Sequence, residues 1–229
     1  MRIPSAARPM LLGLACVSAM ACVRVGPQPV QPWRLFSLTP LPEPEAEPAT
    51  STRSPGPVQG AIGVGPVHLP GYLDQDQLVT RISQNRLALS DDNRWAEPLE
   101  DNMGHVLAQN LSMLLQNDQV SFNRWSGRQR PVYQLEIDVL SFETDTAGTA
   151  HLAARWLLRD VASRQTIAEK ETRLTDSAAG GSTEQSVASL SQALGDLSVE
   201  IAKVICETVQ HCIPQSGTGP VETGAATTQ

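Results

Sequence analysis

The sequence lacks the local signatures of the common catalytic and phosphate-binding sites. It contains no glycine-rich phosphate loop, no GxSxG nucleophile elbow and no HExxH zinc motif. Its 4 histidines, at positions 68, 105, 151 and 211, are scattered along the chain. We therefore expect no enzyme activity, no metal site and no cofactor, although a site assembled in space from distant residues stays open.

Basic residues are also in short supply. The chain has 17 Lys and Arg residues against 24 Asp and Glu residues, for a formal net charge of −7. Proteins that bind nucleic acid need clustered Lys and Arg to contact phosphates. The composition therefore argues against a nucleic-acid partner, and against attachment to anionic lipid through charge alone.

No apolar run is long enough to cross a bilayer. The uncharged run over residues 9–21 is shorter than the roughly 20 apolar residues that a membrane-spanning helix requires. Arg2 and Arg8 precede it, which is the arrangement of a signal peptide. We predict that residues 1–21 are a signal peptide and are removed.

The end of this run resembles the lipobox of bacterial lipoproteins. Small residues at positions 18–21 stand directly before Cys22, which would become the lipidated N-terminus. Cys16 is a competing site with an apolar run half as long, and plain export without lipid is the alternative. Arg24 stands where inner-membrane lipoproteins carry Asp, so we expect a lipid anchor at Cys22 in the outer membrane, facing the periplasm.

Composition divides the remaining chain into three parts. Residues 22–57 are dense in Pro, Glu, Ser and Thr, which is typical of an extended tether. Residues 33–38 form one apolar island in it and predict a short edge strand. Residues 58–213 are long enough for one independent core. Residues 214–229 carry almost no large apolar side chain and are predicted to be disordered.

Apolar periodicity predicts the secondary structure of the body. Apolar residues alternate, as in strands, over residues 60–69, 77–82, 86–90, 133–139, 150–158 and 166–175. Helical spacing begins at Leu99 and again at Val187, and Ser182 with Gln185 has the form of a capping box. The order of these elements predicts an α+β fold, a two-layer sandwich of a mostly antiparallel sheet with two amphipathic helices packed on it.

Two cysteines lie outside the predicted signal region and close together. Cys206 falls in the last turn of the second helix and Cys212 just after it. In an oxidising compartment such a pair favours a disulfide. A metal site that also uses His211 is the alternative, but the spacing offers no fourth ligand.

An acidic and aromatic stretch, SDDNRWAEPLEDNM, covers residues 90–103. We interpret Asp91–Asn93 as the end of a hairpin and Pro98 as part of the first helical turn. Trp95 would then pack beneath the start of the helix or face a partner. Tyr72 and Leu73, beside a Pro-Gly step, are the other predicted partner contacts.

These motifs resemble those of the paraquat-inducible protein C family, the ABC-type transport auxiliary lipoproteins of Gram-negative bacteria. The similarity spans about residues 60–210. The matching patterns are P-x-Y-L, N-x-W-A-x-P-L and x-W-x-L, which fall on Pro70, Tyr72, Leu73, Asn93, Trp95, Ala96, Pro98, Leu99, Trp156 and Leu158.

The resemblance implies a non-enzymatic docking subunit. Proteins of this family are anchored in the outer membrane and serve transport systems built on MCE (mammalian cell entry) domains, which move lipids between the two membranes and support envelope integrity. It implies an MCE-domain partner that bridges the periplasm, and a ring-like homo-oligomer. The alternatives are a lipoprotein that activates or assembles cell-wall or outer-membrane machinery and, less favoured, an envelope hydrolase.

Overall fold

The computed structural model describes residues 32–43, 58, 60–122, 130–177 and 181–209. In these residues it contains the strands β1 (Arg34–Phe36), β2 (Ile62–His68), β3 (Gln77–Ser83), β4 (Arg86–Trp95), β5 (Val120–Phe122), β6 (Tyr133–Asp145), β7 (Thr149–Asp160) and β8 (Thr166–Ser177). The helices are α1 (Leu99–Leu114) and α2 (Thr183–Thr208).

All these strands belong to one mixed sheet. Its order is β1-β4-β3-β6-β2-β5, with β7 beside β6 and β8 beside β7. The longest pairings, β6 with β7 and β7 with β8, are antiparallel, as is the β3–β4 hairpin. The pairings β1–β4, β2–β5, β2–β6 and β3–β6 are parallel. The predicted α+β class is confirmed, but the sheet is not purely antiparallel.

The parallel pairings arise from the length of β6 and from a helical connection. One part of β6, Tyr133–Asp138, pairs with β2, whereas Thr144 and Asp145 pair with β3. The chain leaves β4 through α1 before it returns as β5. A connection of that length lets a strand re-enter the sheet parallel to β2, which a tight turn cannot do.

The predicted hairpin and three-stranded meander are confirmed, with one correction at the end of the hairpin. Among the strands that the structure describes, β8 pairs with β7 alone, so it is an edge strand, as its polar pattern indicated. Asp91–Asn93 do not form a turn; they lie within β4. The reason is that β1 pairs with Asn93–Trp95 and satisfies backbone groups that a local turn would otherwise satisfy.

Helix α1 begins one residue later than the sequence indicated. Pro98 is its N-cap, with ψ 130°, and lies outside the first turn. No side chain caps this end, but Glu100 and Asp101 lie in the first turn, where negative charge stabilises the helix dipole. The predicted apolar stripe is buried except at Leu114, which is partly buried.

Helix α2 begins with the predicted capping box. The backbone N–H of Gln185 donates to Ser182 Oγ at 3.2 Å, and the N–H of Ser182 donates to Gln185 Oε1 at 3.1 Å. The predicted apolar stripe of α2 is buried at Val187, Leu190, Leu194, Leu197 and Ile201. α2 packs on β6, β7 and β8, while α1 packs on β2 and β5 and against α2.

The core lies between these helices and the sheet. Its largest fully buried side chains include those of Trp156, Phe142, Ile62, Met103 and Leu107, and full burial of each such side chain stabilises the fold by roughly 1.5–3 kcal/mol. At Gly104 of α1, a Cβ would lie 2.1 Å from the ring of Phe122 on β5. Glycine therefore permits the close approach of α1 to this strand.

The segment that follows β1 is part of the folded body. Residues 37–41 cross the helical layer, and Leu38 is buried. The backbone N–H groups of Leu38 and Leu41 donate to Asn102 Oδ1 and Asn110 Oδ1 of α1, at 2.7 and 2.8 Å. Sequence composition placed this segment in the tether, with one docking strand. That strand is confirmed as β1, and the docked segment continues well beyond it.

The same segment also contacts α2. The N–H of Thr39 donates to Ser191 Oγ at 3.1 Å. The side chain of Leu41 covers Gly195, where a Cβ would lie 2.5 Å from Leu41 Cδ2. Asn110 Nδ2 in turn donates to Ser198 Oγ at 3.0 Å. The segment and the two helices are thus joined by one set of buried polar contacts.

Candidate functional site

The three predicted partner contacts lie in or beside the core. Leu73 is 2% exposed and Trp95 is 7% exposed, whereas Tyr72 is half-buried. Leu73 and Trp95 line the same cleft. The backbone explains the position of Trp95, because its N–H donates to Asp76 O at 2.7 Å and it pairs with Phe36 of β1.

Tyr72 belongs to a polar cluster around Glu143 of β6, whose side chain is only 2% exposed. Tyr72 Oη donates to Glu143 Oε2 at 2.8 Å, and the N–H of Phe142 donates to the same oxygen at 2.9 Å. The guanidinium of Arg81 on β3 donates to Oε1 through Nε at 2.7 Å, and its terminal nitrogen Nη2 forms an ion pair with the same oxygen at 2.5 Å.

The chemistry of this cluster is that of a compensated buried charge. Three hydrogen bonds and the ion pair with Arg81 compensate the charge of the Glu143 carboxylate. Burial and the hydrogen bond to Glu143 raise the pKa of Tyr72 above its ordinary value, which keeps the phenol a neutral donor. The hydrogen bond to Glu143 likewise raises the pKa of Arg81.

A cleft of about 320 Å³ lies between the β3–β4 hairpin, the β6–β7 turn and the start of α2. Its wall includes Leu89, Trp95 and Leu190. At its polar end, Asn93 Nδ2 donates to Thr183 Oγ1 at 3.4 Å. The Oδ1 atom of Asn93 is buried and accepts no hydrogen bond from the described residues. The volume is near the lower limit of small-molecule pockets.

The β6–β7 turn is held by the side chain of Asp145. Asp145 Oδ1 accepts from the N–H groups of Ala147 and Thr149, at 2.9 and 3.0 Å, and Oδ2 lies 3.4 Å from His151 Nε2. Burial alone would raise the pKa of Asp145, but these hydrogen bonds and His151 outweigh it and lower the pKa. Among the described residues, no three His, Cys, Asp or Glu side chains converge on a metal-sized space.

An exposed apolar edge was not predicted. Trp33, just before β1, and Leu35, on it, are 63% and 64% exposed, whereas the next residue, Phe36, packs on the core. The guanidinium carbon of Arg94 lies 4.5 Å from the centre of the Trp33 ring. The alternation of Trp33, Arg34, Leu35 and Phe36 was the available signal, but it did not show which side would face solvent.

Several predicted features lie outside the described residues. These are the signal peptide, Cys16, Cys22, Cys212 and the tail after residue 213. Cys206 lies in the last turn of α2, as expected, and its disulfide with Cys212 stays a prediction. Neither helix in the described part of the chain combines the length and apolar character needed to span a membrane.

Comparison with known proteins identifies the family. The model of the ABC-type transport auxiliary lipoprotein component matches residues 37–202. The chain belongs to this family. It is therefore an auxiliary lipoprotein of ABC-type transport, and its place is in the cell envelope. The match begins at Ser37, so the segment that crosses the helices is part of the family domain.

Solved structures share the fold of this auxiliary lipoprotein. The protein XCC0632 from Xanthomonas campestris is 19% identical, with a TM-score of 0.64 over 77% of this chain and 97% of its own. An uncharacterized protein is 20% identical, with a TM-score of 0.62 over 76% of this chain and 99% of its own. No curated protein matches the sequence significantly.

Proposed function

We propose that this auxiliary lipoprotein is a docking subunit of an intermembrane lipid transport system built on an MCE-domain protein. A lipid on Cys22 anchors it to the periplasmic face of the outer membrane, and it supports envelope integrity. The observation that carries the proposal is the family match over residues 37–202, which runs from the docked segment through most of α2. The signal sequence before Cys22 agrees with it independently.

A non-catalytic role is part of the proposal. Trp95 of the acidic and aromatic stretch is buried, and Glu143 is held by three hydrogen bonds and an ion pair within the fold. Tyr72 is half-exposed and is the candidate for direct partner contact. Leu73 and Trp95 are buried, and they line the cleft without being offered to a partner.

The partner is tested by affinity purification of the tagged full chain from its own bacterium in mild detergent. We expect an MCE-domain protein to co-purify, and native mass spectrometry of the same preparation to give a homo-oligomer of the tagged chain. Recovery of cell-wall or outer-membrane assembly machinery without an MCE-domain protein would overturn the proposal in favour of that alternative role. If a monomer of the tagged chain binds the MCE-domain protein, only the predicted homo-oligomer is wrong and the docking role stands.

The anchor is tested by metabolic labelling with palmitate. Wild-type chain is compared with Cys22→Ala, and Cys16→Ala is the matched control because it removes the other cysteine of the signal region. We expect labelling to disappear in Cys22→Ala and to persist in Cys16→Ala. Unchanged labelling of Cys22→Ala would remove the anchor on which the localisation rests.

A further inference from the structure

The two most exposed large apolar side chains of the described residues lie at the β1 edge. Trp33 and Leu35 are 63% and 64% exposed, and the next most exposed large apolar side chain there, Leu89, is 48% exposed. Leu35 lies on β1 and Trp33 directly precedes the strand; Arg94, the register partner of Leu35, lies 4.5 Å from the Trp33 ring and so joins the two side chains in one patch. Large apolar side chains held side by side in water mark an interaction surface.

The other long edge of the sheet is built differently. β8 has charged side chains at Glu169, Lys170, Glu171 and Arg173, and Glu171 pairs with Arg173 and Arg155. Charges of this kind protect an open edge from association. Of the three residues of β1, only Arg34 is charged. The contrast indicates that β1 is left open for contact.

Arg94 adds a cation to this apolar face. It pairs with Leu35 across the sheet, and its guanidinium lies over the Trp33 ring at 4.5 Å. Arg94 makes no ion pair with any described residue, and its buried Nε has no hydrogen-bond acceptor among them. An indole, an aliphatic side chain and an unpaired guanidinium are the combination that suits the boundary between lipid headgroups and acyl chains.

The position of β1 in the sequence selects the partner. Only residues 23–32 separate Cys22 from Trp33. A chain of this length spans at most about 40 Å, since each residue adds at most ~3.6 Å. β1 is therefore held within about 40 Å of the proposed anchor and stays in the neighbourhood of the membrane.

We propose that Trp33, Leu35 and Arg94 form a membrane-contact face that seats the body on the phospholipid surface. The Trp33 ring and Leu35 enter the acyl boundary, and the Arg94 guanidinium binds a lipid phosphate. The contact fixes the orientation of the body, which a lipid tether alone does not. This inference rests on the proposed lipid anchor at Cys22.

The test uses the full lipidated chain in vesicles of phosphatidylethanolamine and phosphatidylglycerol that carry bromine on the acyl chains near the headgroup. Bromine quenches indole fluorescence at short range. A Trp125→Phe background leaves Trp33 together with Trp95 and Trp156, which are buried. We expect clear quenching, and a fall to less than half of it when Trp33→Phe is added. Equal quenching with and without Trp33 would overturn the proposal.

Two further variants test the other members of the face. Leu35→Ser and Arg94→Gln should each reduce the quenching of Trp33 by at least twofold. Val199→Ser is the matched control, because Val199 is 47% exposed on α2, and it should leave the quenching unchanged. Thermal unfolding of each variant checks that the fold is intact. An effect of Val199→Ser equal to that of Leu35→Ser would contradict a specific face.

The result also separates this inference from the proposed function. If Cys22 carries no lipid, the wild-type chain will not float with the vesicles, and both proposals fail. If the chain floats but Trp33 is not quenched, the membrane-contact face alone is wrong. If the double variant Trp33→Ser, Leu35→Ser instead dissociates an oligomer, measured by light scattering, the face binds a second copy and the proposal is overturned.

Discussion

Asn102 binds the backbone of Leu38, a residue 64 positions earlier in the chain, at 2.7 Å. Eight residues further along α1, Asn110 does the same for Leu41. Eight residues are close to two helical turns, so both amides lie on one face of α1. This face holds the segment after β1 as an extended strip across the helices. The two asparagines take the place that apolar side chains occupy elsewhere on the helix.

We expect Asn102→Ala to lower the free energy of unfolding by about 1–3 kcal/mol. The change leaves the buried N–H of Leu38 without an acceptor, and such an orphaned group costs about this much. It also removes the hydrogen bonds from Asn102 to Glu97 and Ser37. Urea denaturation measures the change. Gln109→Ala, at an exposed position of the same helix, is the control, and equal midpoints for the two variants would contradict the prediction.

Trp95→Ala should lower the free energy of unfolding by about 3–5 kcal/mol, which is the usual cost of removing a buried aromatic side chain. Trp95→Phe keeps most of the volume and should cost less. Both variants, assayed at a temperature where they are folded, should still bind the partner recovered by affinity purification. Loss of partner binding with unchanged stability would show that Trp95 is a contact residue and not a core residue.

Tyr72→Phe should lower the free energy of unfolding by about 1 kcal/mol, since it removes one hydrogen bond to a buried carboxylate from a half-buried donor. Tyr133→Phe is the matched control. Tyr133 is also half-buried, and its hydroxyl makes no hydrogen bond with the described residues. A double cycle of Tyr72→Phe with Arg81→Lys measures the coupling through Glu143. A coupling energy of zero would mean that the three side chains do not act together.

The stability that Asp145 contributes should depend on pH. Its pKa is lowered in the folded state from the ordinary 3.8, so the folded state favours the charged form. The contribution is therefore present above pH 3.8 and is lost as the pH falls through the folded-state pKa. At pH 6 we expect the free energy of unfolding of wild type to be about 0.5 kcal/mol higher than that of Asp145→Asn, which is the range of a screened surface ion pair.

Urea denaturation at pH 6 and at pH 2.5 measures this difference. Asp138→Asn, at an exposed position of β6, is the matched control. The gap between wild type and Asp145→Asn should close at the lower pH. A gap that stays constant, or that widens in acid, would show that the turn does not depend on the charge of Asp145.

The sequence predicted those elements whose signal is local. The hairpin, the meander, both helices and the Ser182 capping box follow from short periodic patterns, and the structure confirms them. The docking of residues 37–43 on the helices could not be predicted from local patterns, because the Pro and Glu content of this segment is typical of a tether. A signal was present on the partner side, where Asn102 and Asn110 interrupt an apolar stripe. Polar residues at core positions require partners, but they do not identify them.

The cluster around Glu143 was missed for a different reason. If the side chains of β6 alternated without a break, Leu135, Ile137 and Val139 would face the core. Glu143 would then share their face, at a position where an apolar residue is expected. The register with β7 shifts between Val139 and Ser141, and such a bulge changes the direction of the side chains that follow. Glu143 and its neighbours Phe142 and Thr144 are all buried. A break in register depends on both strands and cannot be seen in one of them.

The attachment of β1 also determines how the body responds to mechanical load. A pull from the N-terminal side reaches the short parallel pairing of β1 with β4 first. If that pairing opens, the load passes to Leu38 and Leu41, and through Asn102 and Asn110 to helix α1. The long β6–β7–β8 meander is loaded last. The fold therefore has an outer connection that can yield under tension while its core stays intact.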